Sequence, residues 1–95
     1  DRLQLLYARG LSALASFQFQ HDAVDDAIAT LERLTQTDEL HEDSWRRFIT
    51  CLVRSGRRDL ALRHYKSLVS RLREQLGVEP EPATQALAHR LLGLD

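Results

Sequence analysis

The sequence contains few of the residues on which disulfide-stabilised and membrane-spanning proteins depend. Among its 95 residues are one cysteine, two prolines, four glycines and no methionine. Because a single cysteine cannot form an internal disulfide, the chain fits a reducing interior, and we expect a cytoplasmic protein. No apolar run approaches the ~20 residues of a membrane-spanning helix, and the first residues do not resemble a signal peptide, so no membrane partner is expected. The lack of a methionine indicates a segment of a longer protein.

The residue patterns of metal sites and catalytic centres are also missing. The four histidines, His21, His41, His64 and His89, are scattered, and neither C-x-x-C nor H-E-x-x-H occurs. No base near Cys51 in the sequence could activate its thiol, so we interpret Cys51 as a small buried apolar residue. No glycine-rich phosphate loop is present. We therefore expect no enzyme, no metal and no cofactor.

Charge is unevenly distributed, although the net charge is only −1. Residues 22–43 contain eight acids and a single base, whereas residues 54–73 contain seven bases and a single acid. Most such side chains occupy hydrated helix faces. A minor alternative assigns Arg63, Lys66 and Arg73 to a stripe that contacts DNA phosphates. The chain as a whole is less basic than typical nucleic-acid-binding domains.

Apolar residues recur at helical spacing along most of the chain, without sustained strand-like alternation, and predict five helices. The first is predicted from about Leu3 to Phe19, and the second follows Asp22, its predicted N-cap. The first helix has a predicted apolar face of Leu3, Leu6, Tyr7, Leu11, Leu14 and Phe17. The second has a predicted apolar stripe of Ala23, Val24, Ala27, Ile28, Leu31 and Leu34.

The third and fourth helices carry the clearest apolar faces. The third ends at Gly56, a residue suited to a left-handed helix end, and the fourth is predicted from about Arg57 to Leu76. The inner face of the third helix is predicted to be Trp45, Phe48, Ile49 and Leu52. The inner face of the fourth is predicted to be Ala61, Tyr65, Leu68, Val69, Leu72 and Leu76.

The segment LGVEPEP predicts a helix end followed at once by a helix start. Gly77 ends the fourth helix, Val78 can fold back on it, and Pro80 prevents its continuation. Pro82 occupies the first position of a fifth helix that reaches Leu92. This last helix is predicted to turn Ala83, Leu87 and Leu91 inward.

Two halves of the chain match one another at an offset of 34 residues. Ala27 matches Ala61 and Leu34 matches Leu68, while Asp22 stands where the second copy has Gly56. This is the period of tetratricopeptide repeats, in which each unit is a pair of antiparallel helices. We therefore predict hairpins over residues 3–36 and 42–76, covered by a last helix over residues 82–92. Two unrelated helical hairpins of similar length are the alternative.

Stacked helical hairpins of this kind form a concave groove, which the first helix of each hairpin lines. We predict that a helix or an extended segment of a protein partner binds there. The alternative is an ordinary hydrated surface. The polar residues predicted on this side are Arg9, Ser12, Ser16, Asp43, Arg46, Thr50 and Arg54.

Residues 41–87 resemble the bacterial transcriptional activator domain (BTAD) of regulators of the antibiotic-regulatory-protein (SARP) type. The opening RLQLLYARGLSAL resembles a middle helix of the same family. Gln75 departs from the pattern, because family members usually have an acid there. The residues that carry the resemblance are Ala61, Leu62, Tyr65, Leu76, Gly77, Val78, Pro80 and Pro82.

The resemblance implies an all-α, tetratricopeptide-like right-handed array over residues 1–95, acting as a regulatory protein-interaction module. Its partners would be its own DNA-binding domain, another subunit or the transcription machinery, and a homodimer is among the assemblies it allows. DNA recognition would lie in a separate domain of the longer protein. The alternative is a stand-alone scaffold or oligomerisation module unrelated to transcription.

Overall fold

The computed structural model describes residues 1–94, which form five α-helices and no strand. Helix α1 packs on α2, α2 on α3 and α3 on α4, and α5 contacts both α3 and α4. The predicted all-α array of helical hairpins is confirmed. Within the described residues, no helix combines the length and the apolar character needed to cross a membrane. The helices are α1 (Arg2–Gln20), α2 (Val24–Thr37), α3 (Glu42–Arg54), α4 (Arg58–Leu76) and α5 (Pro82–Leu92).

The turns inside the two hairpins have the same backbone geometry at positions 34 residues apart. Asp22 and Gly56 both have positive φ angles, 60° and 81°. In each turn the next residue donates its N–H at 2.8 Å to the carbonyl five positions earlier, which is the hydrogen bond of a Schellman motif. Aspartate is one of the few non-glycine residues found in this conformation. The predicted equivalence of Asp22 and Gly56 is therefore confirmed.

The prediction that Asp22 caps α2 is wrong. Because Asp22 closes the preceding turn, the N-cap position falls to Ala23, and no side chain caps the helix. The first turn instead carries Asp25 and Asp26, whose negative charge favours the positive end of the helix dipole.

The core lies between the two hairpins and extends beneath α5. Ala27 and Ala61 have no exposed surface, so each marks a close approach between helices. The predicted inner face of α3 is buried in full, and the Trp45 indole N–H donates to the Glu39 carbonyl at 2.8 Å. Tyr65 is partly buried at the edge of the same cluster. The predicted inner face of α3 is thus confirmed, and that of α4 is confirmed except at Leu76.

The predicted apolar face of α1 is wrong at most of its positions. Leu11 is buried, but the other five predicted residues keep between 46% and 77% of their surface exposed. Helix α3 lies between α2 and α4, which cover its apolar residues from two sides. Helix α1 packs mainly on α2, so its apolar residues are covered from one side only. Periodicity identified the apolar residues correctly but not which of them another helix covers. The exposed residues are Leu3, Leu6, Tyr7, Leu14 and Phe17.

The joint between α4 and α5 follows the predicted pattern in its backbone. Gly77 has a φ of 65°, and Pro82 is the first residue of α5. Val78 folds back through its N–H, which donates to the Leu72 carbonyl at 3.3 Å, but its side chain remains exposed. Leu76 is exposed as well, because the last turn of α4 extends beyond the core.

The predicted inner face of α5 is partly wrong. Leu87 is buried and Leu91 partly buried, but Ala83 is exposed. Thr84 is buried in its place, because α5 is rotated so that this hydroxyl enters a polar contact with α3. The rotation leaves Ala83 on the open side of the molecule.

The unequal burial of two phenylalanines gives a matched test of this packing. Phe48→Ala should lower the free energy of unfolding by about 3–5 kcal/mol, since the ring is fully enclosed. Phe17→Ala should cost less than about 1 kcal/mol, because the ring is exposed. Urea unfolding followed by circular dichroism measures both. Equal losses for the two variants would contradict the packing described.

Candidate protein-interaction groove

A groove of about 600 Å³ lies between α1, α3 and α5, with one residue of α2 at its base. Its floor is apolar and its rim is polar or positively charged. Helix α5 forms a complete third wall, which the sequence did not predict. The lining residues are Ala15, Ser16, Phe19 and Gln20 of α1; Leu31 of α2; Arg46, Arg47, Thr50 and Cys51 of α3; and Ala83, Ala86, Leu87 and Arg90 of α5.

Three of the seven residues predicted for a groove line this cavity, namely Ser16, Arg46 and Thr50. Two others, both from the α3 part of the predicted set, lie against its lining residues. Asp43 is 3.6 Å from Arg46, and the guanidinium carbon of Arg54 is 4.5 Å from the centre of the Phe19 ring.

The remaining two predicted residues differ in their surroundings. Ser12 accepts hydrogen bonds from Arg47. Arg9 is exposed on α1 and is not among the lining residues. The structure therefore brings the α3 members of the predicted set together with the end of α1, and leaves Arg9 apart.

Arg47 joins the two first helices of the hairpins. Its Nη1 donates to Ser12 Oγ at 2.8 Å, and its Nη2 donates to the Ser12 carbonyl at 3.0 Å and to Ser16 Oγ at 2.8 Å. The contacts fix the distance between α1 and α3 across the groove. Sequence reasoning missed Arg47, because its partners lie more than 30 positions away along the chain.

A buried polar cluster attaches α5 to α3. Glu42 Oε1 accepts hydrogen bonds from the Glu81 backbone N–H at 2.9 Å and from Thr84 Oγ1 at 2.7 Å. Thr84 Oγ1 in turn accepts from Arg46 at 2.9 Å. Glu42 therefore binds the N-cap backbone N–H of α5 as the third-position side chain of a capping box would, although it belongs to another helix.

The position of α5 at the groove could have been predicted from the order of the helices in the sequence. Helix α5 follows the second hairpin as α3 follows the first, so it takes the place of the first helix of a third unit. Pro82 marks its start, and Arg90 lies on the side that faces the groove. Its alignment with the 34-residue repeat is broken mainly because α4 has 19 residues and α2 has 14, and the joint at residues 77–81 adds one more residue than the loop between α2 and α3.

Cys51 lies at the base of the groove and is buried. Burial raises the pKa of its thiol above the ordinary value, against the smaller lowering effects of Arg54 and Arg47. The thiol form predominates at neutral pH, which disfavours nucleophilic chemistry. In the described part of the chain, histidine, cysteine and acidic side chains form no group of three or more suited to a metal ion.

The predicted phosphate-contact stripe is divided between two other cavities. Arg63 lines one of them, beside Glu32 and His64, and Lys66 lines another with Arg73. Arg73 donates two hydrogen bonds of 2.7 and 2.6 Å to Glu79. Hydrogen bonding to Arg73 lowers the pKa of the Glu79 carboxyl. One of the three cations is thus already paired.

Comparison with known proteins gives one family match and several similar regulators. The family model of the bacterial transcriptional activator domain matches residues 1–92. The chain is 40% identical over 65 residues to the regulatory protein DnrI of Streptomyces peucetius, an alignment that covers 68% of this chain and 24% of DnrI. It is 37% identical over 65 residues to the transcriptional regulatory protein EmbR of Mycobacterium tuberculosis, covering 68% of this chain and 17% of EmbR.

A longer alignment is found with the regulatory protein AfsR of Streptomyces coelicolor. It is 33% identical over 94 residues and covers 99% of this chain but 9% of AfsR. The chain therefore spans between 9% and 24% of the length of these three relatives. No solved structure is significantly similar to it.

Removing the Thr84 hydroxyl tests the attachment of α5. Thr84→Val should lower the free energy of unfolding by about 1–3 kcal/mol, because it leaves Glu42 and Arg46 short of a buried partner. Thr37→Val is the matched control, since that hydroxyl bonds only within its own helix, and it should change stability by less than about 0.5 kcal/mol. Thermal or urea unfolding measures both. No difference between them would show that the cluster does not hold α5.

His64 gives a pH-dependent prediction. Its ring lies 4.8 Å from the Phe48 ring, and burial lowers its pKa below the ordinary value of about 6.5, with Arg63 and Arg71 adding to the effect and Glu32 opposing it. The unfolded chain then binds the proton more tightly than the folded one. Stability should therefore fall as the pH falls from about 6.5 toward the lower folded-state pKa.

The matched variant His64→Phe keeps an aromatic ring and removes the titration. Its stability relative to the wild type should rise as the pH is lowered from 7.5 to 5.5, measured by urea unfolding at each pH. A difference that stays constant with pH, or that moves in the opposite direction, would contradict the burial of a neutral imidazole.

Proposed function

Because the chain belongs to the bacterial transcriptional activator domain family, we propose that it is a protein-interaction module of a bacterial transcription regulator. It acts through contacts with its own DNA-binding domain, with another subunit or with the transcription machinery. DNA recognition lies in a separate domain of the regulator. The names of DnrI, EmbR and AfsR, each a regulatory or transcriptional regulatory protein, support this assignment.

The groove between α1, α3 and α5 is the observation that carries the proposal. It combines an apolar floor with a polar rim, as protein interfaces do at their centre and edge. Its walls are held at fixed distances by Arg47 on one side and by the Glu42 cluster on the other. A preformed groove of this kind binds a helix or an extended segment with little loss of its own conformational freedom.

The other polar side chains favour a role in protein contact over catalysis or direct DNA binding. The protonated thiol of Cys51 is a poor nucleophile, and Arg73 on the former basic stripe is paired with Glu79. The net charge of −1 gives no general attraction to DNA. We place the action of the module in the cytoplasm, where bacterial transcription takes place.

A second candidate function is oligomerisation or scaffolding through α1. Five large apolar side chains on one face of this helix are exposed, which is unusual for a monomeric surface. On this alternative the chain self-associates through Leu3, Tyr7 and Phe17, and the groove has no partner. Analytical ultracentrifugation of the wild type and of Leu3→Ser/Phe17→Ser distinguishes the two, because only a dimer formed through α1 would dissociate in the variant.

Reversing two rim charges tests the main proposal in the bacterium that makes the protein. Arg54→Glu/Arg90→Glu, introduced into the complete regulator, should lower the transcription of its target genes about tenfold, corresponding to about 1.4 kcal/mol of lost contact energy. Its occupancy of DNA should stay unchanged, because the contacts with DNA lie in another domain. Quantitative RNA sequencing and chromatin immunoprecipitation measure the two quantities.

Arg33→Glu on the exposed side of α2 is the matched control and should leave transcription unaltered. Unchanged transcription in the groove variant would rule out the groove as the contact surface. An equal loss of DNA occupancy and transcription would place the same residues in DNA binding instead.

A further inference from the structure

We propose that the partner of the groove is an acidic protein segment that inserts a large apolar side chain between α1, α3 and α5. This inference rests on the proposed function and adds the chemistry of the partner to it. Three observations carry it: the composition of the floor, the balance of charge at the rim, and the hydrogen-bonding state of the arginines.

The floor of the groove favours an apolar side chain. Leu31, Ala15 and Leu87 are buried residues of the core that form its base, and Ala83 and Ala86 on α5 are small enough to leave the space open. The volume of about 600 Å³ falls within the range of roughly 300–1,000 Å³ that is usual for binding sites. The apolar surface that an occupant can cover belongs mainly to Ala83 and Ala86, which are exposed, and to the partly buried Phe19.

The rim has an excess of positive charge. Three arginines line the groove, a fourth lies over the Phe19 ring, and none of the lining residues in the described part of the chain is acidic. Among these four arginines, and counting the carboxylates of residues 1–94, only Arg46 has acidic partners, Asp43 and Glu81, each at 3.6 Å. Within residues 1–94, no carboxylate forms an ion pair with Arg47, Arg54 or Arg90.

Arg47 is positioned as an anion-binding group. Its three hydrogen bonds go to the hydroxyls and carbonyl of Ser12 and Ser16, all neutral acceptors, so its charge is not compensated. A guanidinium has five N–H donors, and two remain for a ligand. The bonds to α1 hold it in one orientation, which lowers the entropy cost of binding a carboxylate.

These features favour an acidic protein segment over duplex DNA. A phosphate backbone would pair with the arginines but would leave the apolar floor uncovered. An acidic segment with one or two large apolar side chains uses the floor and the rim together, with complementary charge at the edge of the interface. Duplex DNA and a second copy of this chain are the competing occupants that the experiment must separate.

The test uses the 95-residue chain and three fluorescein-labelled synthetic peptides of about 15 residues, long enough for about four helical turns. The first carries aspartate and glutamate on one helical face and leucine on the other. The second replaces the acids by asparagine and glutamine, and the third replaces the leucines by serine. Fluorescence anisotropy gives the dissociation constant of each at low and high salt.

The acidic leucine peptide should bind at least about tenfold more tightly than either comparison peptide, and salt should weaken it because the rim contacts are ionic. Arg90→Glu should weaken binding about fivefold to tenfold, whereas Arg33→Glu should not. Ala86→Trp should abolish it by filling the groove. Residue 86 is exposed, so this variant is expected to fold, which circular dichroism verifies.

Several results would overturn the inference. If the neutral peptide bound as tightly as the acidic leucine peptide, charge would play no part in binding. If the serine peptide bound as tightly, the apolar floor would play no part. Tighter binding of duplex DNA, abolished by Arg90→Glu, would make DNA the occupant. A dimer that dissociates in Arg90→Glu, seen by analytical ultracentrifugation, would make the occupant a second copy of the chain.

The outcome is separable from that of the proposed function. If the acidic peptide fails to bind but Arg54→Glu/Arg90→Glu still lowers transcription, the groove has a partner of different chemistry and only the present inference fails. If the peptide fails to bind and transcription is also unchanged, both fail.

Discussion

The close approach of helices at Ala27 and Ala61 is the constraint on which the rest of the structure depends. Both residues have no exposed surface, and they occupy equivalent positions in α2 and α4. A larger side chain at either position would separate helices that now pack closely, and dense interiors absorb such changes poorly. The stacking of the hairpins sets where α3 lies, and α3 supplies the middle wall of the groove. Two small residues thus determine whether a groove exists.

Polar contacts then fix the shape that this packing allows. Arg47 ties α3 to α1 on one side, and Glu42 with Thr84 ties α3 to α5 on the other. Burying Glu42 and Thr84 would destabilise the fold if they lacked partners, yet every buried side-chain nitrogen and oxygen of the described residues has one. Helices α1 and α5, the two outer walls of the groove, are therefore both held by contacts with α3.

The sequence predicted the helices well because their signals are local. Periodicity gave the five elements, Gly77 and Pro82 marked the α4–α5 joint, and the 34-residue offset identified Asp22 as the equivalent of Gly56. The offset worked because a Schellman turn is decided within six residues of chain. The assignment of Asp22 as a cap failed for the same local reason, since one residue cannot both close a turn and cap the next helix.

The candidate site was less predictable because its contacts are between residues far apart in the chain. Periodicity showed that α1 is amphipathic, but could not show that Leu14 would be exposed while its equivalent Phe48 is enclosed. Arg47 and Arg46 are adjacent in sequence and bond to opposite walls, which no spacing rule distinguishes. Four of the thirteen residues that line the groove lie on α5, whose contacts with α3 depend on the length and path of the preceding joint.

Site-specific photo-crosslinking in the bacterium tests the central claim most directly, namely that the groove is where this module contacts its partner. A photoreactive benzoylphenylalanine replaces Gln20, an exposed residue that lines the groove of the complete regulator, and the same residue replaces Arg33 on the exposed side of α2 in a parallel strain. The account predicts a discrete crosslink from position 20 to an acidic segment of a protein, identified by mass spectrometry, and none from position 33. The same adducts from both positions, or an adduct from position 33 alone, would contradict it.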